Sequence, residues 1–437
     1  MKDISMSGVE VFKEFLKNVY IANLPLILLR PREICEDMSY SGNYDFFIDP
    51  SYNDKLLKIM FDLAVKNSIS FSIIRVKYSK VDIAIYDKDE DKKISLEIWN
   101  ILSVKDPKKK TLRYITPERL KSFIFKQDDG SFSLALDIEA LYYLSYLATG
   151  GKKLQTPLVQ ERIADYSTKL KTKKYIEYFD SLKDNKDIKI VAHIANMELV
   201  EKGLLFLKTD KKELFKESLL KGASISKRIQ RKLFKLFNMV AIMGPDGVGK
   251  TTLIKKSVDS FKGRTKLFQF KKTFRNSPLY KLTMPFLKQK IANRFKTMNI
   301  GKSEVDDIYG GFVILNAFVM YQLRLIRSFI TKETTFIDRY FYEYLMEDTR
   351  FFDKKAKLRK NWKMLSCFIP RPHVVIQLDA PQDVILKRKN ELDEDGIIAF
   401  RNLIFQTLSY KPPLKYLYIN TTMPLDRCRD VLLDVME

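Results

Sequence analysis

One segment, Met239–Thr252, constrains the fold of this chain more than any other. It reads MVAIMGPDGVGKTT, an apolar run followed by a glycine-rich turn and a helical pattern. This order fits the phosphate-binding loop G-x-x-x-x-G-K-[ST] in the strand–turn–helix setting that the motif requires. Glycines allow backbone amides to face phosphate oxygens, and the N-terminus of the following helix adds positive potential. The segment therefore predicts a site for the phosphates of a nucleotide.

The residue types in this loop predict ATP and Mg²⁺ as cofactors. Lys250 is expected to reach the β- and γ-phosphates, and the Thr251 hydroxyl is expected to coordinate Mg²⁺. The residues expected to bind the cofactor are Gly244, Gly247, Gly249, Lys250, Thr251 and Thr252.

Two further elements supply candidate catalytic residues. Asp338 ends an apolar strand downstream of the loop, where an acidic residue is placed to act on Mg²⁺ or its water shell. Arg339 follows it and is a candidate for holding a phosphate of the acceptor. The alternative is that Asp338 caps the next helix. A helix from Pro381 carries Lys387 and Arg388 near its end, which predicts either a basic lid over the phosphates or a solvated helix end.

The alternation of strands and helices predicts an α/β fold for residues 233–437. Five strands joined by helical crossovers imply a parallel, doubly wound sheet. These strands are Met239–Met243, Leu267–Phe270, Thr335–Asp338, Val374–Asp379 and Tyr416–Asn420.

The remaining chain divides into an α+β segment at 1–115 and a mostly helical segment at 116–232. Apolar spacings of three and four residues predict helices at Leu134–Leu147 and Ile190–Phe206. Short apolar runs between polar turns predict the N-terminal strands, which are Leu26–Leu29, Asp45–Ile48, Phe71–Val76, Val81–Tyr86 and Ile94–Trp99.

Residues 233–437 resemble the thymidylate kinase-like branch of nucleoside monophosphate kinases. The resemblance rests on GPDGVGKTT, IDRYFYEYLMEDTR and PHVVIQLDAPQDVILKRKNEL, in that order. It implies a five-stranded parallel sheet, a Mg²⁺-linked Asp338 and an acceptor-phosphate contact at Arg339. It also implies a lid around Lys387–Asp395 with Arg388 as the transition-state arginine, and a nucleotide-site role for Asp246 near the acceptor.

The resemblance has one departure that bears on the acceptor. Thymidylate kinases carry a serine and an Ala-Tyr-Gln stretch after the Asp-Arg-Tyr, where this chain has Tyr342–Asp348. The region Phe274–Lys302, where an acceptor-binding helix is expected, is unusually basic, which suits a larger acidic acceptor or simply a charged surface. Long chains of this type resemble proteins of bacterial surface-polysaccharide gene clusters. The expected acceptor is therefore a nucleotide or a sugar-containing intermediate rather than thymidylate.

The N-terminal segment resembles a nucleotidyltransferase-like domain. Such domains place two carboxylates one residue apart on a strand and a third on a neighbouring strand, so that two metal ions are held. Here Asp45 fits the second position, the neutral Asn43 stands at the first, and Glu97 or Asp82 is available as the third. Active nucleotidyl transfer, a degenerate binding or scaffolding domain and an unrelated fold remain alternatives.

Composition limits the classes of partner. The formal net charge of +24 attracts polyanions, although the lysines are spread along the chain and equally suit a solvated surface. The three unclustered cysteines and the absence of a signal-like or membrane-spanning segment favour a cytoplasmic protein. Nucleic acid is a less favoured partner, and a dimer is compatible with the sequence.

These observations predict an ATP-dependent phosphotransferase whose catalytic residues are Lys250, Asp338, Arg339 and Arg388. The rival hypothesis is an ATP-binding regulatory or nucleic-acid-binding protein with little catalysis.

Overall fold

The computed structural model describes most of the N-terminal half and the predicted sheet of the C-terminal half. The described residues are 7–29, 43–77, 80–88, 92–105, 112–147, 156–183, 188–205, 239–261, 263–269, 277, 280–282, 285, 319–324, 326–328, 330–340, 372–388, 394–410, 413 and 415–436. The departure at Tyr342–Asp348 and most of Phe274–Lys302 lie outside them.

Fourteen strands lie within the described residues. They are β1 (Ile27–Leu28), β2 (Asn43–Phe47), β3 (Ser70–Lys77), β4 (Lys80–Tyr86), β5 (Lys93–Trp99), β6 (Leu102–Lys105), β7 (Leu112–Ile115), β8 (Ile124–Lys126), β9 (Phe132–Leu134), β10 (Met239–Met243), β11 (Thr265–Gln269), β12 (Thr334–Asp338), β13 (Val374–Asp379) and β14 (Lys415–Asn420).

The helices with defined bounds are α1 (Gly8–Ile21), α2 (Asn53–Lys66), α3 (Pro117–Leu120), α4 (Leu136–Leu147), α5 (Pro157–Lys169), α6 (Lys173–Lys183), α7 (Ile188–Glu201), α8 (Lys250–Ser260), α9 (Gln382–Arg388), α10 (Glu394–Tyr410) and α11 (Leu425–Met436). The described residues between 319 and 331 are also helical.

Twelve of the described strands form one mixed sheet, and helices pack on it, so the expectation of an α/β fold is confirmed. Along one part of the sheet the order is β11-β12-β10-β13-β14, and every neighbouring pair there is parallel. Every residue of β10 and β13 is buried, as expected of central strands covered on both faces.

The parallel strands do not form a sheet of their own, which differs from the expectation. β14 pairs in antiparallel fashion with β3, and the order continues as β3-β4-β5-β2-β1-β9-β8, here called the N-terminal sheet. Phe71 of β3 stacks on Tyr418 with ring centroids 5.4 Å apart, and it also contacts Tyr416. The pairing covers an edge of β14 that would otherwise expose unpaired backbone groups.

Helices α1 and α2 pack on the N-terminal sheet through apolar faces. Val11, Phe12 and Phe15 of α1 are buried with Met60 of α2 in one core that extends to the parallel strands. Ser7 starts α1 with a capping box, because its side chain accepts from the Glu10 amide while the Glu10 carboxylate accepts from the Ser7 amide.

The segment predicted to be mostly helical contains a hairpin between α3 and α4. β8 and β9 pair in antiparallel fashion around a turn in which Gly130 has φ 82°. The Asp-Asp-Gly sequence at 128–130 is a turn signal that favours such a hairpin. Helices α4 to α7 follow and share a second hydrophobic core, so the helical part of the prediction agrees with the structure.

A buried carboxyl in this helical core gives a testable pH dependence. Burial raises the pKa of Glu139 from 4.5 to about 7, against the opposing effect of a hydrogen bond from the Tyr166 hydroxyl. The pKa of Glu139 is higher in the folded state than in the unfolded state. The protonated carboxyl therefore contributes its full share of the free energy of unfolding below about pH 4.5, and this share is lost as the pH rises to about 7.

Glu139→Gln is therefore expected to raise the free energy of unfolding at pH 8 by on the order of 2–3 kcal/mol, with little change at pH 5. Urea unfolding of wild type and variant at the two pH values measures this difference. Glu177→Gln is the control, because Glu177 is exposed on α6, and it is expected to have no such effect. Equal pH dependence in wild type and Glu139→Gln would contradict the assignment.

Candidate functional site

The glycine-rich loop lies between the end of β10 and the start of α8. β10 ends at Met243, the loop covers 244–249, and α8 begins at Lys250. The loop therefore emerges at the carboxyl edge of the parallel strands, where open α/β sheets bind ligands. The predicted strand–turn–helix arrangement is present in the structure.

Two glycines of the loop are required by its backbone. Gly244 has φ 150°, and a Cβ added there would lie 2.4 Å from the backbone oxygen of Leu378 in β13. Gly249 has φ 89° and precedes the first residue of α8. The loop therefore approaches β13 too closely for a side chain at 244, and it needs a left-handed residue before the helix.

Lys250 lies across the loop rather than pointing into solvent. Its side chain is buried, and Nζ donates to the carbonyl oxygens of Gly244 at 2.6 Å and Pro245 at 2.8 Å. Nζ also lies 3.3 Å from Asp246 Oδ1. The ammonium is therefore fixed inside the curve of the loop.

The end of β12 brings Asp338 and Arg339 next to the glycine-rich loop. Asp338 is paired with Ile242 of β10, and the Arg339 amide donates to the Ile242 carbonyl at 3.1 Å. Arg339 adopts φ 63°, and its guanidinium forms an ion pair with Asp246. Asp246 thus contacts both Arg339 and Lys250, so the structure brings together residues from two distant parts of the sequence.

Asp338 lies at the end of β12 with one carboxylate oxygen unsatisfied. This oxygen, Oδ1, is buried and has no hydrogen-bond partner among the described residues. Burial raises its pKa, while the nearby charges of Lys250 and Arg339 lower it. A half-buried carboxylate with one oxygen unsatisfied fits a Mg²⁺ ion, which proteins usually hold through one or two carboxylates.

The other predicted cofactor residues lie around the same turn. Thr251 and Thr252 are exposed in the first turn of α8, and Gly247 has φ 93° in the loop. Their hydroxyls and amides are accessible at the helix N-terminus. The arrangement is therefore compatible with the predicted set.

Arg388 lies further along the carboxyl edge. It ends α9 and donates through Nη1 to Thr421 Oγ1 at 3.3 Å, just beyond the end of β14. Residues 389–393 of the predicted lid lie outside the described residues. A role for Arg388 at the phosphates stays a prediction.

A buried ion pair beside the site was missed by the sequence analysis. Arg401 of α10 donates to both carboxylate oxygens of Asp379, at 2.7 and 3.0 Å, and to the Ala380 carbonyl at 2.7 Å. The Tyr418 hydroxyl also donates to Asp379, whose side chain is fully buried. The acidic end of an apolar strand at Asp379 was visible in the sequence, but its partner in α10 was not.

The acidic residues of the N-terminal segment lie in one row across three strands. Asp45 of β2 is opposite Glu97 of β5, and Glu97 is opposite Asp82 of β4. Because paired residues in neighbouring strands project from the same face, the three carboxylates share one face of the sheet. Asn43 lies on the same strand as Asp45, and its side chain lies outside the described set.

Lys80 supplies a positive charge within this row. Its Nζ lies 2.6 Å from Glu97 Oε2 and 3.1 Å from Asp82 Oδ1, while Trp99 Nε1 donates to Asp45 Oδ1 at 3.3 Å. Burial lowers the pKa of Lys80, but the two acidic partners outweigh burial and raise it. The carboxylates are therefore held by groups of the protein itself.

The described residues form no clustered metal site of the His, Cys and carboxylate type. Within the part of the chain that the structure describes, no group of three or more His, Cys, Asp and Glu side chains is arranged to hold a metal ion. A helix long and apolar enough to cross a bilayer is also absent from these residues.

Comparisons with known proteins are limited to a weak structural likeness. No protein-family model matches the sequence, and no curated protein matches it. A solved structure of thymidylate kinase from Candida albicans matches with a TM-score of 0.32 and 18% identity, over 46% of this chain and 90% of that chain. At this TM-score the likeness carries no weight, so the assignment of the site depends on its own geometry.

Proposed function

We propose that residues 233–437 form an ATP-dependent phosphotransferase of thymidylate kinase-like type. One observation carries the proposal. A glycine-rich loop with a buried lysine lies at the carboxyl edge of parallel strands, next to an acidic residue and an arginine from the neighbouring strand. These groups suit the binding of a nucleotide's phosphates, a metal ion and a second phosphate.

The proposed roles follow from the position of each group. Loop amides and the Lys250 ammonium bind the β- and γ-phosphates of ATP, and the Thr251 hydroxyl and Asp338 hold Mg²⁺. Mg²⁺ supplies charge neutralisation to the phosphate oxygens when it is bound. Arg339 holds the acceptor, and Arg388 reaches the transferred group when the lid closes.

The transfer itself needs little covalent chemistry from the protein. An acceptor oxygen forms a bond to the γ-phosphorus as the bond from that phosphorus to the leaving oxygen of ADP breaks. Most of the rate enhancement in such reactions comes from positioning and charge stabilisation. The cluster of Lys250, Asp246 and Arg339 provides fixed charges of both signs at the loop.

The test of the function is an ATP-consumption screen over nucleoside monophosphates and sugar-containing surface-glycan precursors. We expect at least one acceptor other than thymidylate to raise ATP consumption by about tenfold or more, and chelation of Mg²⁺ to abolish the increase. Thymidylate as the best acceptor would contradict the acceptor class. A protein that takes up neither ATP nor GTP with Mg²⁺ would contradict the function as a whole.

A further inference from the structure

The loop at 420–424 lies at the same edge of the sheet as the phosphate loop. It follows β14, and β13 separates β14 from β10. Under the proposed function, the metal ion and the acceptor lie at Asp338 and Arg339, on the β12 side of β10. The carboxyl end of β13 and this loop lie on the other side of β10, which leaves that part of the edge for the nucleoside end of ATP.

The side chain that begins this loop has an unsatisfied donor. Asn420 is 1% exposed, and its Nδ2 has no hydrogen-bond partner among the described residues. Its Oδ1 accepts from the Thr422 amide at 3.0 Å and from the Thr422 hydroxyl at 2.7 Å. A buried amide donor without a partner is costly unless another molecule satisfies it.

Two contacts connect this loop and the helix after it to elements of the nucleotide site. The Thr421 amide donates to the Asp379 carbonyl at 2.8 Å, at the end of β13. Lys256 of α8 forms an ion pair with Asp426 of α11 at 2.7 Å. The loop is therefore bonded to β13, and α11 is bonded to the helix that begins at the phosphate loop.

The N-terminal sheet holds the loop from the opposite side. The backbone amide of Asn420 donates to Ser70 Oγ at 3.0 Å, and the Ser70 hydroxyl donates to Met423 Sδ at 3.4 Å. Ser70 is the first residue of β3 and has 0% exposure. A single hydroxyl thus contacts both ends of the loop from within a buried interface.

The helix after the loop is also attached to the N-terminal sheet. The Tyr86 hydroxyl donates to Asp434 Oδ2 at 2.9 Å, and Lys93 Nζ lies 2.7 Å from the same oxygen. Arg427 donates to the Asp87 carbonyl at 3.5 Å. Both the loop and α11 are therefore positioned by strands β3 to β5 and the residues next to them.

We propose that the N-terminal sheet positions the loop 420–424 for the base of the bound nucleotide, with Ser70 as the positioning residue. This inference rests on the proposed function. It gives the N-terminal segment a scaffolding role in the kinase site, and it assigns that role to one hydroxyl group that contacts no substrate.

The test compares the binding of MgATP with the binding of magnesium tripolyphosphate by calorimetry. Tripolyphosphate contacts the phosphate loop but has no base. Ser70→Ala is expected to lower the affinity for MgATP about five- to tenfold, because the backbone amide of Asn420 loses its buried acceptor. The affinity for tripolyphosphate is expected to stay within about twofold. Ser145→Ala is the control, since Ser145 has the same 0% exposure as Ser70 but lies on α4 of the helical segment. It is expected to leave both affinities within about twofold.

The outcomes separate this inference from the proposed function. Wild-type protein that binds neither probe would overturn both. If wild-type protein binds MgATP, two results with Ser70→Ala would overturn the positioning role alone. These are an unchanged affinity for MgATP, or equal losses of affinity for MgATP and tripolyphosphate. Should the alanine variant not fold, Ser70→Cys retains the shape and supplies only a weak sulfur acceptor. The same selective loss of MgATP affinity is expected there, and unchanged affinity would overturn the inference.

Discussion

Lys250→Ala is expected to reduce phosphoryl transfer by a factor of about 10³ or more while the fold is retained. The Lys250 ammonium is held within the curve of the loop by the carbonyls of Gly244 and Pro245, where it can meet the phosphates of ATP. Alanine removes that charge from the place where negative charge accumulates during transfer. The measurements are transfer of labelled γ-phosphate to an acceptor identified in the screen and the affinity for MgATP.

The control for this prediction lies on the same helix. Lys255 is exposed on α8, and Lys255→Ala removes an equal charge away from the loop. It is expected to retain activity within about twofold of wild type. Circular dichroism and thermal melting of both variants check that the fold is intact. Undiminished transfer by folded Lys250→Ala would refute the assignment of the loop as the catalytic phosphate site.

Arg401→Met is expected to lower the free energy of unfolding by about 3–5 kcal/mol. The variant leaves the fully buried Asp379 carboxylate without its guanidinium partner, and only hydrogen-bond donors such as the Tyr418 hydroxyl remain. Methionine retains much of the apolar length of arginine, so the effect comes mainly from the lost charge and hydrogen bonds. Urea unfolding followed by fluorescence measures the change.

The comparison for Arg401 is an exposed ion pair. Lys66 Nζ lies 2.9 Å from Glu14 Oε1, and the Lys66 side chain is 68% exposed. Lys66→Met is therefore expected to change the free energy of unfolding by less than about 1 kcal/mol. A loss of less than about 1 kcal/mol in Arg401→Met would contradict the expectation that the buried Asp379 carboxylate depends on its guanidinium partner.

Local pattern predicted the elements nearest to the site well. The predicted bounds of β10 and β13 agree with the structure at both ends, because fully buried parallel strands appear in sequence as nearly continuous apolar runs, which only Gln377 interrupts before the end of β13. β11 was predicted as Leu267–Phe270 but lies at Thr265–Gln269, since most of its residues are only partly buried or exposed and give a weaker apolar signal. The β8–β9 hairpin was missed because its strands are short and Leu134 is their only buried residue.

The individual site residues were identifiable, but most of their partners were not. The loop motif located Lys250, and the acidic strand end located Asp338. No local pattern predicts that Asp379 pairs with Arg401 or that Lys80 lies between Glu97 and Asp82. Such pairs depend on which helix crosses which strand and on the register between strands.

The strand–loop–helix at Met239–Thr252 and the α/β character of the C-terminal half follow from hydrophobic period and glycine placement, which are local properties of the chain. The pairing of β14 with β3 and the contact of Ser70 with the loop at 420–424 arise only in the folded molecule. An edge strand presents unpaired backbone groups to any partner with a compatible register. The choice of partner depends on packing across the whole molecule, here on Phe71 against Tyr416 and Tyr418.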